Sequence, residues 1–380
     1  MFCVYSMLHI VCFDVPYPPD YGGAIDVFYK IKALSKAGVD LHLHCFCYGN
    51  RGESVQLEQF CQQVYYYPRL AAWQSVWQVE PYIAASRCHA DLLHRLHDLP
   101  FPILFEGLHS CHYLAHPLLQ NRLKWVRTHN VEHDYYAFLA KRETLLPKKM
   151  FFEIESRRLR HFEPVLAHAN GLLPISPPDT AHFSRIHGQV HYLPAFHPNE
   201  QVILQTGTGD FALYHGNLGL SENHLAAVWL VEKVFAHLPF RLVIAGKSPR
   251  LELVSLVARH SNTRLVTNPD ANELQALLTQ AHLHVLPATQ PTGIKLKLLH
   301  ALFCGRFCLV NATMVQGTGL EALCTVVADN DANTFAKQVV RLFALPFDQQ
   351  YAGIRQKVLS NNFSNAVNAQ YLVEWLGLKK

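Results

Sequence analysis

Short runs of β-branched and aromatic residues alternate along the whole chain with stretches in which apolar positions recur at helical spacing. Parallel βαβ construction demands this alternation, because a buried strand needs only a short apolar run and an amphipathic helix must carry the chain back to the same end of the sheet. In the first half the pattern predicts strands over 8–13, 40–46, 64–68, 103–106, 125–129, 171–175 and 190–193. The first intervening helix is the clearest: Ile25, Phe28, Ile31 and Leu34 share a face, Gly22-Gly23 opens it and Gly38 stops it. From Pro194 to Gly209 the pattern lapses into Pro, Asn, Gln, Thr and Gly, then resumes with strands over 211–215, 241–245, 264–267, 283–287 and 307–310. A lapse between two such blocks marks a domain boundary. There is no repeat of solenoid period and no low-complexity tract.

Length agrees, since 380 residues, half of them apolar, exceed what one hydrophobic core organises. The ten cysteines stand singly in apolar segments, without the paired spacing of a zinc ribbon, and read as reduced core thiols of a cytoplasmic protein. The apolar run from Met1 to Phe13 lacks a basic leading region and a small-residue cleavage site, and is too short to span a bilayer, so it reads as a first buried strand. A start at Met7 would make residues 1–6 a short leader.

Lys and Arg outnumber Asp and Glu by only four, 33 against 29, which demands no nucleic-acid partner. The stretch 141–160 is locally basic: Lys141, Arg142, Lys148, Lys149, Arg157, Arg158 and Arg160 interleave with Leu145, Leu146, Met150, Phe151, Phe152 and Ile154. That pattern suits an anionic membrane surface and equally a solvated helix face.

Ligands of open parallel sheets gather at the carboxyl ends of the strands, and four of the loops there carry chemistry. In 16–23, Gly22 and Gly23 at a helix start let backbone N–H groups approach an anion or a sugar hydroxyl, though a plain tight turn uses the same residues. In 127–133, His129 follows a strand and should reach the sheet edge. His215-Gly216-Asn217-Leu218 precedes Ser221-Glu222-Asn223 at a helix start, and is matched by Gly246-Lys247 after the next strand, where the lysine could meet a phosphate. In 291–301, Lys295 and Lys297 flank a helix start, where cations oppose the helix dipole unless an anion binds between them. This is the sharpest local sign of a diphosphate site.

Taken in order, these loops resemble the two-domain glycosyltransferases related to glycogen synthase and bacterial mannosyltransferases, glycosyltransferase family 4, over nearly the whole chain. The family's strand, Pro-rich loop and Gly-Gly helix start are matched by Pro16 to Gly23 and the helix bearing Asp26, Phe28 and Lys30. Its first-domain histidine is matched by His129. Gly216, Asn217, Asn223, Gly246 and Pro249 match its second-domain loops, and Gly293, Ile294, Lys297, Leu299 and Ala301 its Gly-Ile-x-x-Lys-x-Leu-Glu-Ala segment.

The resemblance implies an α/β chain of two Rossmann-like doubly wound domains facing across a cleft: an acceptor domain at 1–195, a nucleotide-sugar domain at 196–360, and a tail at 361–380. The tail's helix, with Tyr371 and Trp375, would pack back towards the first domain. It also implies transfer of a sugar from a nucleotide-sugar donor to a glycan or lipid-linked acceptor, with retention and with neither metal nor cofactor. His129, Lys295 and Lys297 would be catalytic. Gly22, Gly23, Gly216, Asn217, Asn223, Gly246, Lys247, Gly293, Ile294 and His300 would bind substrate. A peripheral contact with the inner membrane leaflet follows from the basic stretch.

One departure concerns the donor. The family brackets its last motif with two glutamates, the second gripping the nucleotide ribose, and here the positions read Thr292 and His300. The exchange leaves open a homologue that binds nucleotide or glycan without turnover. A further rival is a zinc peptidase using His129, Glu132 and His133, whose His-x-x-Glu-His pattern must lie within one helix.

Overall fold

A computed structural model describes residues 6–71, 79–203, 205–289, 295–328 and 331–378. Thr292, Gly293 and Ile294 lie outside the described residues. The chain divides into two compact units, Met1–Pro198 with Asn365–Lys380, and Asn199–Ser364.

In the first unit, strands β1 (Met7–Cys12), β2 (Asp40–Cys47), β3 (Gln63–Pro68), β4 (Ile103–Glu106), β5 (Lys124–Thr128) and β6 (Gly171–Pro174) form one sheet. Its order is β3-β2-β1-β4-β5-β6, with every pair parallel. Strands covered on both faces are largely apolar, and β4, β5 and β6 are buried along their whole length, so that the charges they carry, Glu106, Lys124 and Arg127, are buried too. The segment 190–193 is not such a strand: Val190 makes a single bridge to Leu172. The helices used below are α1 (Gly22–Lys36), α2 (Glu132–Arg142), α3 (Leu146–Phe162) and α4 (Pro177–Phe183). Helix α1 ends where Gly38 takes a φ of 84°, a left-handed conformation that costs glycine little.

The second unit repeats the plan. Strands β7 (Phe211–Asn217), β8 (Arg241–Lys247), β9 (Thr263–Thr267), β10 (Leu283–Leu286), β11 (Phe307–Asn311) and β12 (Thr325–Val327) lie in the order β12-β11-β10-β7-β8-β9, all parallel. The pattern of apolar residues missed β12, a three-residue edge strand with one buried position. Helices α5 (Ser221–Trp229) and α6 (Leu296–Cys304) frame its site. Each sheet therefore reverses strand order once, between β1 and β4 and between β7 and β10, and such reversals open the crevices in which open α/β sheets bind ligands.

Helix α7 (Asn365–Trp375) belongs to the first unit and packs on α1 through Ala369, Leu372 and Val373. The Trp375 ring stacks on His191, with centroids 4.7 Å apart. Many of the chain's histidines are structural: His9 and His44 share a hydrogen bond of 3.0 Å inside the first sheet, and burial pulls the His9 pKa down to about 3.

Candidate functional site

At the carboxyl edge of the first sheet, α1 turns two charged residues inward. Asp26 and Lys30 are fully buried, one helical turn apart, on a helix whose buried face is otherwise largely apolar. Lys30 Nζ lies 3.0 Å from Asp26 and 2.9 Å from Glu106 at the end of β4. Arg127 on β5 donates to both Asp26 oxygens, at 3.1 and 3.0 Å, and to the carbonyls of Leu173 and Pro194. The backbone N–H of Phe196 completes the grip on Asp26 at 2.8 Å. Burial alone would raise the Asp26 pKa, but Arg127, Lys30 and His129 together hold it far below the usual carboxylate range. Two carboxylates meet two cations here, so the web reaches zero formal charge without drawing on His129.

His129 is the residue that follows β5, one position beyond the strand predicted to contain it. It is 7% exposed, and its Nε2 lies 3.2 Å from Glu106 Oε2 and 3.7 Å from Asp26. The Phe13 ring meets it edge-on, with centroids 5.4 Å apart, and also packs on His109. A Cβ on Gly23 would come within 2.8 Å of Phe13 Cζ, so the space that Gly23 opens is filled by this ring. Gly22 begins α1, which has no side-chain cap and no acidic residue in its first turn. Beside them, burial pushes Glu132 up to about 8, with a hydrogen bond to Asn130 working the other way, while burial and then Arg87 hold His109 well below its usual value.

The His-x-x-Glu-His pattern is divided. His129 joins Glu106 and Asp26, whereas His133, inside α2, lies 3.2 Å from Glu163. The two histidines enter different clusters, and Glu132 begins the helix instead of standing between two ligands on one face. The structure does not assemble the peptidase geometry.

In the second unit, Gly216 and Asn217 are not loop residues: they end β7 and pair with Gly246 and Lys247 of β8. The glycines make that pairing possible, since a Cβ on Gly246 would stand 1.8 Å from the Gly216 carbonyl oxygen and 2.9 Å from Leu218 Cγ. The turn after β7 then brings Asn223, in the first turn of α5, back to Asn217, where its Nδ2 donates to the Asn217 carbonyl at 3.0 Å. Asn223 Oδ1 accepts from Lys297 Nζ at 2.6 Å and from the Tyr214 hydroxyl at 3.3 Å. Lys297 also sits 5.4 Å from the Tyr214 ring centroid.

Lys295 holds the N-cap position of α6 and Lys297 lies in its first turn. Burial lowers the pKa of both, Lys297 to about 8, while Glu222 pulls the other way. The His300 ring lies on the same helix, 6.0 Å from that of His215. His215 is buried and neither of its ring nitrogens has a hydrogen-bond partner among the described residues. Lys247 is exposed at the end of β8, where its carbonyl accepts from Leu218 N–H at 2.8 Å. The structure thus brings Gly216, Asn217, Asn223, Gly246, Lys247 and Lys297 to one edge of the second sheet. Tyr214 and Asn311 support this edge without a distinct sequence signal of their own. Asn311 ties the turn after β10 to β11 through two bonds to the Ala288 backbone, and its sequence signal is only an asparagine after an apolar strand.

Residues 210–344 match the family described as Glycosyl transferases group 1. Over 377 residues the chain is 25% identical to an uncharacterized 44.6 kDa protein in the cps region of Klebsiella pneumoniae, covering 93% of this chain and 94% of that protein. Among solved structures, Anabaena Alr3699/HepE in complex with UDP superposes with a TM-score of 0.66 at 11% identity, over 97% of this chain and 99% of that one. WaaG, a glycosyltransferase involved in lipopolysaccharide biosynthesis, superposes with a TM-score of 0.63 at 12% identity, over 97% and 99% of the two chains. These structures share the fold of paired Rossmann-like domains known as GT-B.

Proposed function

We propose that this chain, a glycosyltransferase of the group 1 type, moves a sugar from a nucleotide-sugar donor bound on its second unit to a glycan or lipid-linked acceptor served by its first. The observation that carries the reading is the junction of Lys297, Asn223 and the start of α6. There a lysine pair loses hydration at a helix N-terminus, whose dipole favours an anion. A nucleoside diphosphate leaving the anomeric carbon gains negative charge, and Lys295, Lys297 and the leading N–H groups of α6 stabilise it by position alone. UDP in the HepE structure supports a diphosphate as the ligand. Gly293 and Ile294 belong to the same loop by sequence, and His300 stands where a ribose-binding glutamate would be. Gly216, Gly246 and Asn217 let the backbone come close to the donor, and Lys247 reaches its phosphates.

His129 orients the reacting sugar, held by Glu106 so that its ring keeps one attitude at the sheet edge. Gly22 and Gly23 place the start of α1 against the sugar or the acceptor. The transfer proceeds with retention and without a metal at the diphosphate, in the manner of family 4, and mannose is the sugar the resemblance favours.

The acceptor side has its own surface. Leu146, Met150 and Ile154 are 71%, 60% and 47% exposed along one stripe of α3, with Phe151 beside them and Lys148 and Arg157 exposed nearby. Among the described residues no helix is long and apolar enough to cross a membrane. The stripe instead lies on an anionic leaflet, where a lipid-linked acceptor would be found. WaaG's part in lipopolysaccharide biosynthesis supports such an acceptor.

A thermal-shift screen against UDP, GDP, ADP and their common sugars tests the reading. One nucleotide should raise the melting temperature of the parent and not of the Lys295→Ala/Lys297→Ala protein, and its sugar form should be consumed. No shift with any of them would leave the chain a binding homologue of another kind.

A further inference from the structure

Outside the site just described, His133 of α2, Glu163 at the end of α3 and His182 of α4 point their ligand atoms at one another. His133 Nδ1 lies 3.2 Å from one Glu163 oxygen and His182 Nε2 3.0 Å from the other, and the three ligand atoms all fall within 4.8 Å. We propose that His133, Glu163 and His182 form a zinc-type divalent metal site that fastens the start of α2 and the end of α4 to the end of α3.

The donor set and the spacing favour this reading. Two imidazoles and one carboxylate suit zinc, whose tetrahedral bonds of about 2.0–2.1 Å place neighbouring ligand atoms roughly 3.3 Å apart. His133 is more than nine-tenths buried, yet its Nδ1 finds no aligned hydrogen-bond partner, so its approach to Glu163 is close without being a bond. His182 is 28% exposed and gives an ion and its fourth ligand, water, access from solvent. Asp134 lies 3.5 Å from His133 Nε2 and orients the ring from behind, as carboxylates do for metal-bound histidines. Arg160, 3.9 Å from Asp134, is the nearby cation, and it approaches Asp134 and not the ligands. The second buried group of this composition, Asp26, Glu106 and His129, is a poorer host, because Lys30 and Arg127 already engage its carboxylates.

The proposal is independent of the transfer reaction. It is tested on the full chain, stripped with chelator and carrying no affinity tag, by titration with Co(II) followed by displacement with Zn(II). One equivalent should give the intense visible bands of tetrahedral cobalt. Glu163→Gln and His182→Ala should each weaken binding about tenfold or more, while His161→Ala, a change at an exposed histidine of the same helix, should leave it unchanged. Circular dichroism of each apo variant verifies that the fold is kept, and zinc should raise the melting temperature of the parent and of His161→Ala alone. Absence of a tetrahedral spectrum, or binding that survives both Glu163→Gln and His182→Ala, would overturn the proposal and leave a carboxylate hydrogen-bonded between histidines.

Discussion

The two sheet edges treat buried charge in opposite ways. At Asp26 the attraction of Arg127, Lys30 and His129 overcomes burial and leaves a carboxylate ionised under all ordinary conditions. At Lys297 burial overcomes the attraction of Glu222, and the ammonium is held at the margin of losing its proton, near about 8. The first edge is complete as built, whereas the second gains from an arriving anion. The difference teaches which residues hold the fold and which await a ligand: mutual neutralisation marks a scaffold, and a desolvated cation at a helix start marks a receptor for negative charge.

The largest effect should come from breaking the finished web. Lys30→Met leaves Asp26 and Glu106 short of a buried counter-ion and should cost about 3–5 kcal/mol of unfolding free energy in urea titrations. Lys297→Met should cost less than about 1 kcal/mol, since it removes a charge that burial already disfavours. If the two substitutions cost the same, the contrast between the edges fails.

Next in size is the loss of nucleotide affinity in Lys295→Ala/Lys297→Ala, on the order of 100-fold if each lysine makes one charge-assisted bond to a phosphate. Isothermal titration with the nucleotide found by the thermal screen measures it.

Gly246→Ala should cost about 1–3 kcal/mol, because its Cβ would sit 1.8 Å from the Gly216 carbonyl oxygen and force β7 and β8 apart. Gly188→Ala, where an added Cβ meets nothing within 4 Å, is the control.

The smallest effect is on pH. Lys297 without nucleotide releases its proton near about 8, below its usual value, and a diphosphate favours the ammonium. Binding therefore takes up a proton, and affinity should be level below that point and fall as pH rises from 8 to 9, by at most about tenfold. Affinity that rises with pH over this range would show that the lysine binds as the neutral amine or not at all.

Much of the fold was legible because parallel strands alternating with helices leave short runs rich in β-branched, aromatic and other apolar residues, and eleven of the twelve described strands coincide with such runs. The twelfth, Thr325–Val327, is too short and too exposed to leave one. The segment 190–193 falls short of a seventh strand: it runs beside β6 with backbone bonds from His191 to Leu172 and from Leu193 to Pro174, but only Val190 forms a bridge. At the site, glycines and lysines could be found by type and order, but not what each touches. The resemblance made Gly246 a substrate-binding residue, and in the structure its missing side chain makes room for the Gly216 carbonyl. Asp26 and Lys30 carried the overlooked signal: charges one turn apart on an apolar helix face must be paired inside the protein, and only the strand order shows that Glu106 and Arg127 are the partners.

The central claim, that the second unit holds the donor diphosphate while His129 serves the reacting sugar, is tested most directly by calorimetry on two proteins in parallel, Lys295→Ala/Lys297→Ala and His129→Ala. UDP, GDP and ADP are titrated in turn into each and into the parent, and consumption of the matching nucleotide sugar is followed alongside. The account predicts that the lysine variant loses nucleotide binding and turnover together, while His129→Ala binds the nucleotide as the parent does and turns over little. Nucleotide binding kept in the lysine variant and lost in His129→Ala would contradict it.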